Sequence, residues 1–470
     1  MTPSSRNRVV VVGGGISGLA TAWRLLRERP DLRVEVIEGL GRFGGKLLTV
    51  RKQGFVIEGA ADGFLARKPP ALDWAHELGL EKALVEPRPE DRFSHVWWEG
   101  ELHRMPEGFS GLVPADPEGL KKTTLLTPGG AARAAAEAGV PPRTDGSEES
   151  LETFFTRRYG SETFQRLMEP LLAGIYAGDA SRLSAEAAFP QLTAIERSGR
   201  SLTAALAPAP GPRATPSPAF RSFDVGMDRF PSALELWLRR SAVPLWSGSP
   251  VLAVERTGTH WTVRTRRQRF EADAVVLALP PRSAGAVVRD SIPGLASVLE
   301  TWPVSSVANL NLAFDASEIP QLPAGSGFVA PRAGGTPWSA ATWSSRKWPG
   351  RAPDGKVLVR IYFGGARAPE AWKTPEPELV ATGLELLAGF HQGRRPRPLF
   401  HQIFRWKDAF AQPDVGHADR HRALEAAGVP GLVLAGGYFA GVGIPDCLAR
   451  AGQAAELVLK SLKESPKENL

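Results

Sequence analysis

The sequence predicts an α/β fold whose first domain is assembled from both ends of the chain. Three observations carry that reading. A strand, a glycine turn, a helix and a second strand follow in order over residues 8–38; strand-then-glycine text returns at 431–437; and the stretch between alternates sheet-like with helical patterning.

The first apolar run, Val9-Val10-Val11-Val12, suits a strand buried on both faces, as parallel strands in α/β folds are. Gly13 allows the tight turn after it, Gly15 lets backbone N–H groups approach a pyrophosphate, and Gly18 lets the helix pack closely on the strand. Ile16, Leu19, Ala20, Trp23 and Leu26 repeat at helical spacing, so a phosphate would sit at a helix N-terminus, where unpaired N–H groups favour an anion. Glu38 ends the second apolar run about 20 residues past the glycines, where a carboxylate for ribose hydroxyls is expected. Together these residues predict a bound dinucleotide. Directly after them, Gly41-Arg42-Phe43-Gly44-Gly45-Lys46 is a second glycine-rich basic turn. It can hold further phosphate, as long FAD sites need, or serve as a polar hairpin.

With 470 residues the chain has room for two or three domains, and 43% hydrophobic with 23% charged residues is ordinary for a soluble globular protein. A net charge of +7 and a pI near 9.6 suit anionic small molecules or acidic lipid headgroups. No dense Lys/Arg run stands beside aromatic repeats, so nucleic acid is not expected as a partner. Cys447 is the only cysteine, which excludes an internal disulfide and a cysteine metal cluster; no metal site is expected. The first strand follows without a leader-like segment, and no uncharged apolar stretch reaches the ~18 residues of a spanning helix. A cytoplasmic protein is expected, with peripheral contact at the inner face of a membrane left open.

Further along, 67–95 opens a different region with Pro69-Pro70 and a helical run through Leu72, Trp74, Leu78 and Leu80. Segments 127–150 and 201–219 are Ala/Pro/Ser-rich and read as loops or linkers, while 151–176 is helical. From 243 to 281 the pattern is a hairpin followed by a buried strand, sheet text follows at 304–314 and 356–363, and 448–462 closes the chain as a helix. The expected division is 1–66, 220–285 and 425–465 for a discontinuous cofactor domain. A mixed-sheet substrate domain takes 67–95 and 286–424, and an inserted, mainly helical domain takes 96–219.

Three further segments are distinctive: Ile57-Glu58-Gly59-Ala60-Ala61-Asp62-Gly63-Phe64 running on to Pro69, Gly174-Ile175-Tyr176-Ala177-Gly178-Asp179 before Leu183-Ser184, and Gly441-Val442-Gly443-Ile444-Pro445-Asp446-Cys447. With the N-terminal unit, these make the chain resemble, over nearly its whole length, the FAD-dependent protoporphyrinogen and coproporphyrinogen III oxidases within the amine-oxidase-like flavoproteins. It departs where that family usually has Gly-Pro-Asp-Ser, at Gly59-Ala60-Ala61-Asp62-Gly63, and a Pro-Gln-Tyr element, at Ala411-Gln412-Pro413-Asp414.

The resemblance implies a Rossmann-like FAD-binding domain and assigns roles. Gly13, Gly15, Gly18, Glu38, Arg42, Gly44, Gly45 and Lys46 would hold FAD, and the Val251 backbone would meet the adenine. Trp406, Gly436, Gly437, Val442, Gly443 and Ile444 would lie at the isoalloxazine ring. A helix beginning near Asp446 would point its positive end at the pyrimidine side of the flavin. For substrate, Arg92 matches a propionate-binding arginine, Trp348 an aromatic position at the macrocycle, and carbonyls from Gly174 to Gly178 would accept pyrrole N–H bonds.

The implied reaction is a six-electron, oxygen-dependent oxidation of a porphyrinogen in heme biosynthesis, most readily coproporphyrinogen III to coproporphyrin III with release of hydrogen peroxide. Protoporphyrinogen IX is the alternative substrate, and an amine oxidase, a carotenoid desaturase or a non-catalytic porphyrin carrier are the more distant readings. FAD would carry the redox step, no histidine falls in a motif that marks a general base, and transient contact with the next heme-pathway enzyme is left open.

Overall fold

In the computed structural model, which describes residues 7–207, 219–439 and 441–464, the four valines form the middle of a five-stranded parallel sheet. Its order is Leu245–Trp246, Arg33–Ile37, Arg8–Val12, Ala274–Leu277, Leu432–Leu434. Val9 pairs with Val34 on one side and with Ala274 on the other, so the sheet joins distant parts of the chain. Alternate residues serve opposite faces, as strand geometry requires. Val9 and Val11 pack with Leu19 and Leu25 of the Ile16–Glu28 helix, Leu234 and Leu238 of Arg229–Arg240, and Leu448 and Val458 of the closing helix. Val10 and Val12 pack on the other face with Trp261, Val263, Leu299 and Trp302.

The closing helix spans Ile444–Glu464, four residues earlier at its start than the apolar pattern alone indicates. The expected hairpin is present: Val251–Thr257 pairs antiparallel with His260–Thr265, which continues to Arg269–Ala272. The Pro293–Glu300 helix and Trp302 belong to the layer covering Val10 and Val12, so this packing runs beyond residue 285.

A second, seven-stranded mixed sheet runs Phe400–Ala411, Val304–Asp315, Lys356–Gly364, Ala340–Thr342, Gly327–Val329, His95–Trp98, Glu101–Arg104. Its last two strands pair with each other past residue 96, so the helical insert starts later than its expected boundary. Buried Leu310, Leu312, Val359 and Ile361 form the core on one face of this sheet.

The helical part includes Leu151–Tyr159, broken at Gly160 (φ +88°), then Ser161–Thr163, a π-helical turn Phe164–Met168 and Glu169–Tyr176. Phe154, Phe155, Phe164, Leu167, Met168 and Leu172 are buried in one cluster, so this apolar stripe is core. Of the expected 201–219 linker, Leu202–Leu206 is a short helix, and most of the rest lies outside the described residues. Among the described residues no helix is long and apolar enough to cross a membrane.

Candidate active site

The glycine turn is fixed by contacts rather than by preference alone. Gly13 has φ +106°, and a Cβ there would lie 2.4 Å from the Ala278 carbonyl oxygen. A Cβ on Gly18 would lie 1.9 Å from the Gly13 oxygen, so the first turn of the helix sits against the strand end only with glycine at both places. Gly15 differs. A Cβ there would approach only Gly45, at 3.8 Å, so its outer side is the open approach that a pyrophosphate needs.

Glu38 ties the unit together. Its Oε2 accepts from Gly14 N and its Oε1 from Leu40 N, both at 2.7 Å, and each oxygen retains a lone pair for a ribose hydroxyl. Backbone bonds from Ser249 N to Glu38 O (2.9 Å) and Gly248 N to Leu40 O (2.7 Å) bring the start of the Val251 strand alongside, where an adenine would follow the ribose. Gly44 N donates to Gly14 O at 2.8 Å, laying the second glycine turn against the first. Arg42 Nη2 donates to Gly45 O at 2.7 Å and braces that turn from within. Lys46 Nζ donates to Ala409 O, and burial lowers the affinity of its ammonium for the proton.

The ring segment closes the same region. Gly436 and Gly441 take φ of +140° and +136°, and a Cβ on Gly441 would lie 2.6 Å from Asp446 Oδ2. Asp446, in the first turn of the Ile444–Glu464 helix, accepts from Lys68 Nζ at 2.7 and 2.9 Å. Trp406 Nε1 and Asn309 Nδ2 both donate to Gly59 O at 2.7 Å, which fastens the 59–63 turn beneath the strand carrying Trp406. These residues fit FAD: two glycine turns, a ribose carboxylate and a glycine-rich ring segment converge from both chain ends.

The turn Gly59-Ala60-Ala61-Asp62-Gly63, a departure from the family pattern, is held by charge. Lys347 Nζ lies 3.0 Å from both Asp62 oxygens, and Arg360 Nη1 donates to Ala60 O at 2.6 Å. Burial pushes the Asp62 carboxyl up, but Lys347 and Arg360 outweigh it and bring it down to about 2. Neither cation stood out in the sequence, because their partner is distant in the chain.

The substrate assignments divide. Gly174 is open to solvent, and Ala177 holds a left-handed conformation (φ +48°) that ends the Glu169–Tyr176 helix. A Cβ on Gly178 would lie 2.2 Å from Gln412 Oε1. Gln412 Nε2 donates to Tyr176 O (3.0 Å), Ser305 Oγ (3.1 Å) and Phe410 O (3.0 Å), so this one amide joins the turn to the mixed sheet. Gln412 was missed as a site residue; only its place in a departing motif hinted at it.

Two assignments need correction or qualification. Trp348 is 0% exposed, and its ring lies 2.7 Å from where a Gly63 Cβ would be, so it is a core residue behind the 59–63 turn and offers no face to a macrocycle. Arg92 donates to Glu86 Oε2 (2.9 Å) and Pro87 O (3.1 Å), and Arg221 pairs with the same carboxylate at 2.8 Å. A propionate on Arg92 would have to displace Glu86. No cluster of metal-ligating side chains occurs among the described residues.

A nucleotide cradle in a discontinuous parallel-sheet domain, abutting a mixed sheet and a helical domain, defines a flavin-dependent oxidoreductase. The model for flavin containing amine oxidoreductases matches residues 16–459. The chain is 32% identical to the coproporphyrinogen III oxidase of Bacillus subtilis (strain 168), over 96% of this chain and 97% of that protein. It is 30% identical to the chloroplastic protoporphyrinogen oxidase of Nicotiana tabacum, over 97% and 86%. A solved structure from Exiguobacterium sp. 255-15, provisionally described as a protoporphyrinogen oxidase, superimposes with a TM-score of 0.84 at 30% identity, over 98% of this chain and 99% of that one. A putrescine oxidase variant shares the fold at 17% identity and a TM-score of 0.69, covering 97% and 99%. The chain belongs to the flavin-containing amine oxidoreductase family, on its porphyrinogen oxidase branch.

Proposed function

We propose that this enzyme oxidises coproporphyrinogen III to coproporphyrin III, using FAD and dioxygen and releasing hydrogen peroxide. The observation that carries the reading is the meeting of two segments. Tyr176, the last residue of the helix that presents Gly174, and Val442, in the ring segment, line one small space. That space is far too small for a macrocycle, so a reduced tetrapyrrole would rest on the exposed Gly174 side of this contact, next to the ring segment.

FAD supplies two-electron acceptance, so a six-electron oxidation takes three rounds. The chain's own residues bind and orient. Gly174, with nothing within 4 Å of a built Cβ, gives a macrocycle close approach to the backbone. Carbonyls of the 174–178 turn accept pyrrole N–H bonds, although the Ala177 oxygen already accepts from Ala366 N at 2.8 Å, which leaves it one lone pair. Arg92, exposed beside Glu86, binds a propionate by exchanging one carboxylate for another.

Coproporphyrinogen III is favoured over protoporphyrinogen IX because several bacterial relatives bear that name and because the +7 chain gains more from four carboxylates than from two. The test compares kcat/KM for the two porphyrinogens in air, followed by porphyrin fluorescence after subtracting autoxidation. A clear preference for coproporphyrinogen III is expected; a preference for protoporphyrinogen IX would move the enzyme to that substrate.

A further inference from the structure

Side chains from three neighbouring strands of the mixed sheet reach the same turn. Asn309 on Val304–Asp315 and Trp406 on Phe400–Ala411 donate to Gly59 O at 2.7 Å, and Arg360 on Lys356–Gly364 donates to Ala60 O at 2.6 Å. The pairing register puts all three on one face. Asn309 lies two residues from Val307, the partner of Trp406, and two from Asn311, the partner of Arg360. Asn309 and Arg360 are 3% and 2% exposed, so these donors sit behind the turn and out of solvent.

A trans peptide sets its N–H opposite its C=O, and every described peptide bond is trans. With the Gly59 and Ala60 carbonyls drawn onto the sheet, the N–H groups of Ala60 and Ala61 point away from it. Neither donates to any group among the described residues. The turn lies between that sheet and the elements assigned to FAD: Gly59 N donates to Leu48 O at 2.7 Å, two residues past Lys46, and Ala61 packs on the cluster that holds Phe43, Leu47, Ile444 and Leu448.

Ala61 is also where this chain leaves the family pattern. With Asp62 matched to the aspartate of Gly-Pro-Asp-Ser, Ala61 takes the place of the proline. Proline has no N–H, so the Ala61 donor is one that the usual pattern cannot supply.

We propose that the Ala60 and Ala61 N–H groups form an anion hole for the flavin ring, stabilising the negative charge that FAD gains on reduction, and that Asn309 and Arg360 are positioning residues that aim them. N–H groups fixed in advance cost no rearrangement when the charge arrives. A hydrogen bond to a charged acceptor is about twice as strong as one to a neutral acceptor, so the pair favours reduced over oxidised FAD and raises its reduction potential. Each two-electron withdrawal from substrate then becomes more favourable. This rests on FAD alone and on no particular substrate.

The test reads the midpoint potential of FAD in the intact holoenzyme, by slow reduction beside a reference dye and without porphyrinogen. Ala61→Pro deletes one N–H and leaves every side-chain donor in place. Loss of one charge-assisted bond predicts that reduced FAD is held about tenfold less tightly relative to oxidised FAD, which lowers the potential of a two-electron couple by about 30 mV. Arg360→Lys keeps a charge beside Asp62 but lacks the planar fork whose Nη1 reaches both Ala60 O and Tyr362 Oη, and should shift the potential in the same direction. Ala61→Gly, which keeps the N–H, should stay within about twofold of wild type, or about 9 mV. A merely structural role would lower the melting temperature without moving the potential. An unchanged or raised potential in both Ala61→Pro and Arg360→Lys, or an equal fall in Ala61→Gly, would overturn the proposal. If Ala61→Pro does not take up FAD, Arg360→Lys read against Ala61→Gly decides. Failure of porphyrinogen to reduce the flavin would strike the proposed function and leave these potentials to judge the turn.

Discussion

Lys68 grips Asp446 through both carboxylate oxygens, at 2.7 and 2.9 Å, joining the end of the 57–69 motif to the first turn of the closing helix. The lysine side chain is 47% exposed, so the pair is worth at most about 1 kcal/mol and is screened by salt. Lys68→Gln should lower the urea midpoint slightly in dilute buffer and negligibly at high salt. A large loss that ignores salt would mean that the lysine is doing something other than pairing.

Asp62 gives a pH dependence of defined sign. Its folded carboxyl, held at about 2 mainly by Lys347 and Arg360 against the pull of burial, lies below the ordinary value. A depressed carboxylate stabilises the fold above the unfolded value and loses that contribution as pH falls through the folded one. Wild type should therefore lose stability between roughly pH 4 and pH 2, and Asp62→Asn should flatten that part of the curve. Acid titration of thermal unfolding reads both slopes. Lys347→Met, which removes the nearer of the two cations holding that carboxylate, should lower stability at neutral pH.

Glu38 accepts from two backbone N–H groups before any ribose arrives, so Glu38→Ala should weaken FAD binding by about tenfold or more. Titrating apoprotein with FAD and following flavin fluorescence measures it. Gly18→Ala should be worse, because the added methyl meets the Gly13 carbonyl at 1.9 Å and the backbone has to yield.

Arg92 and Trp348 should part company on substitution. Arg92→Ala should raise KM for porphyrinogen and leave bound FAD and melting temperature nearly unchanged. Trp348→Ala should cost about 3–5 kcal/mol of stability, as removal of a fully buried aromatic does. Calorimetry and steady-state kinetics on both proteins distinguish the outcomes; an unaltered KM would remove Arg92 from the site.

The cofactor cradle was legible because its determinants are local. Val9 to Val12, Gly13, Gly15, Gly18 and Glu38 lie within one βαβ unit, and their spacing alone fixes a nucleotide's approach. The Ile444–Glu464 helix and the mixed sheet were readable from periodicity, although the sheet's edge strand past residue 96 was not, since four polar-rich residues, Glu101–Arg104, carry little alternation. What escaped was set by distance along the chain. Trp348 has its place at the macrocycle only from the resemblance, and Gly63, nearly 300 residues earlier and against its ring, shows it to be core. Gln412 acquires meaning only through Tyr176 and Ser305, which no spacing rule connects to it.

The parallel sheet has a consequence for biosynthesis. Its central strand Arg8–Val12 is made well before its partners: Val9 waits for Ala274, and the edge strand Leu432–Leu434 and the Ile444–Glu464 helix that covers Leu19 follow later still. At about 5–20 residues per second, roughly 20–90 s separate the synthesis of Val12 from that of Leu432. Until Ala274–Leu277 is made, the sheet holds only Arg8–Val12, Arg33–Ile37 and the short strand Leu245–Trp246, and until the Ile444–Glu464 helix is made Leu19 and its neighbours stay partly uncovered, so flavin loading follows synthesis of both, and a chaperone that shields short apolar strands should govern the yield of holoenzyme.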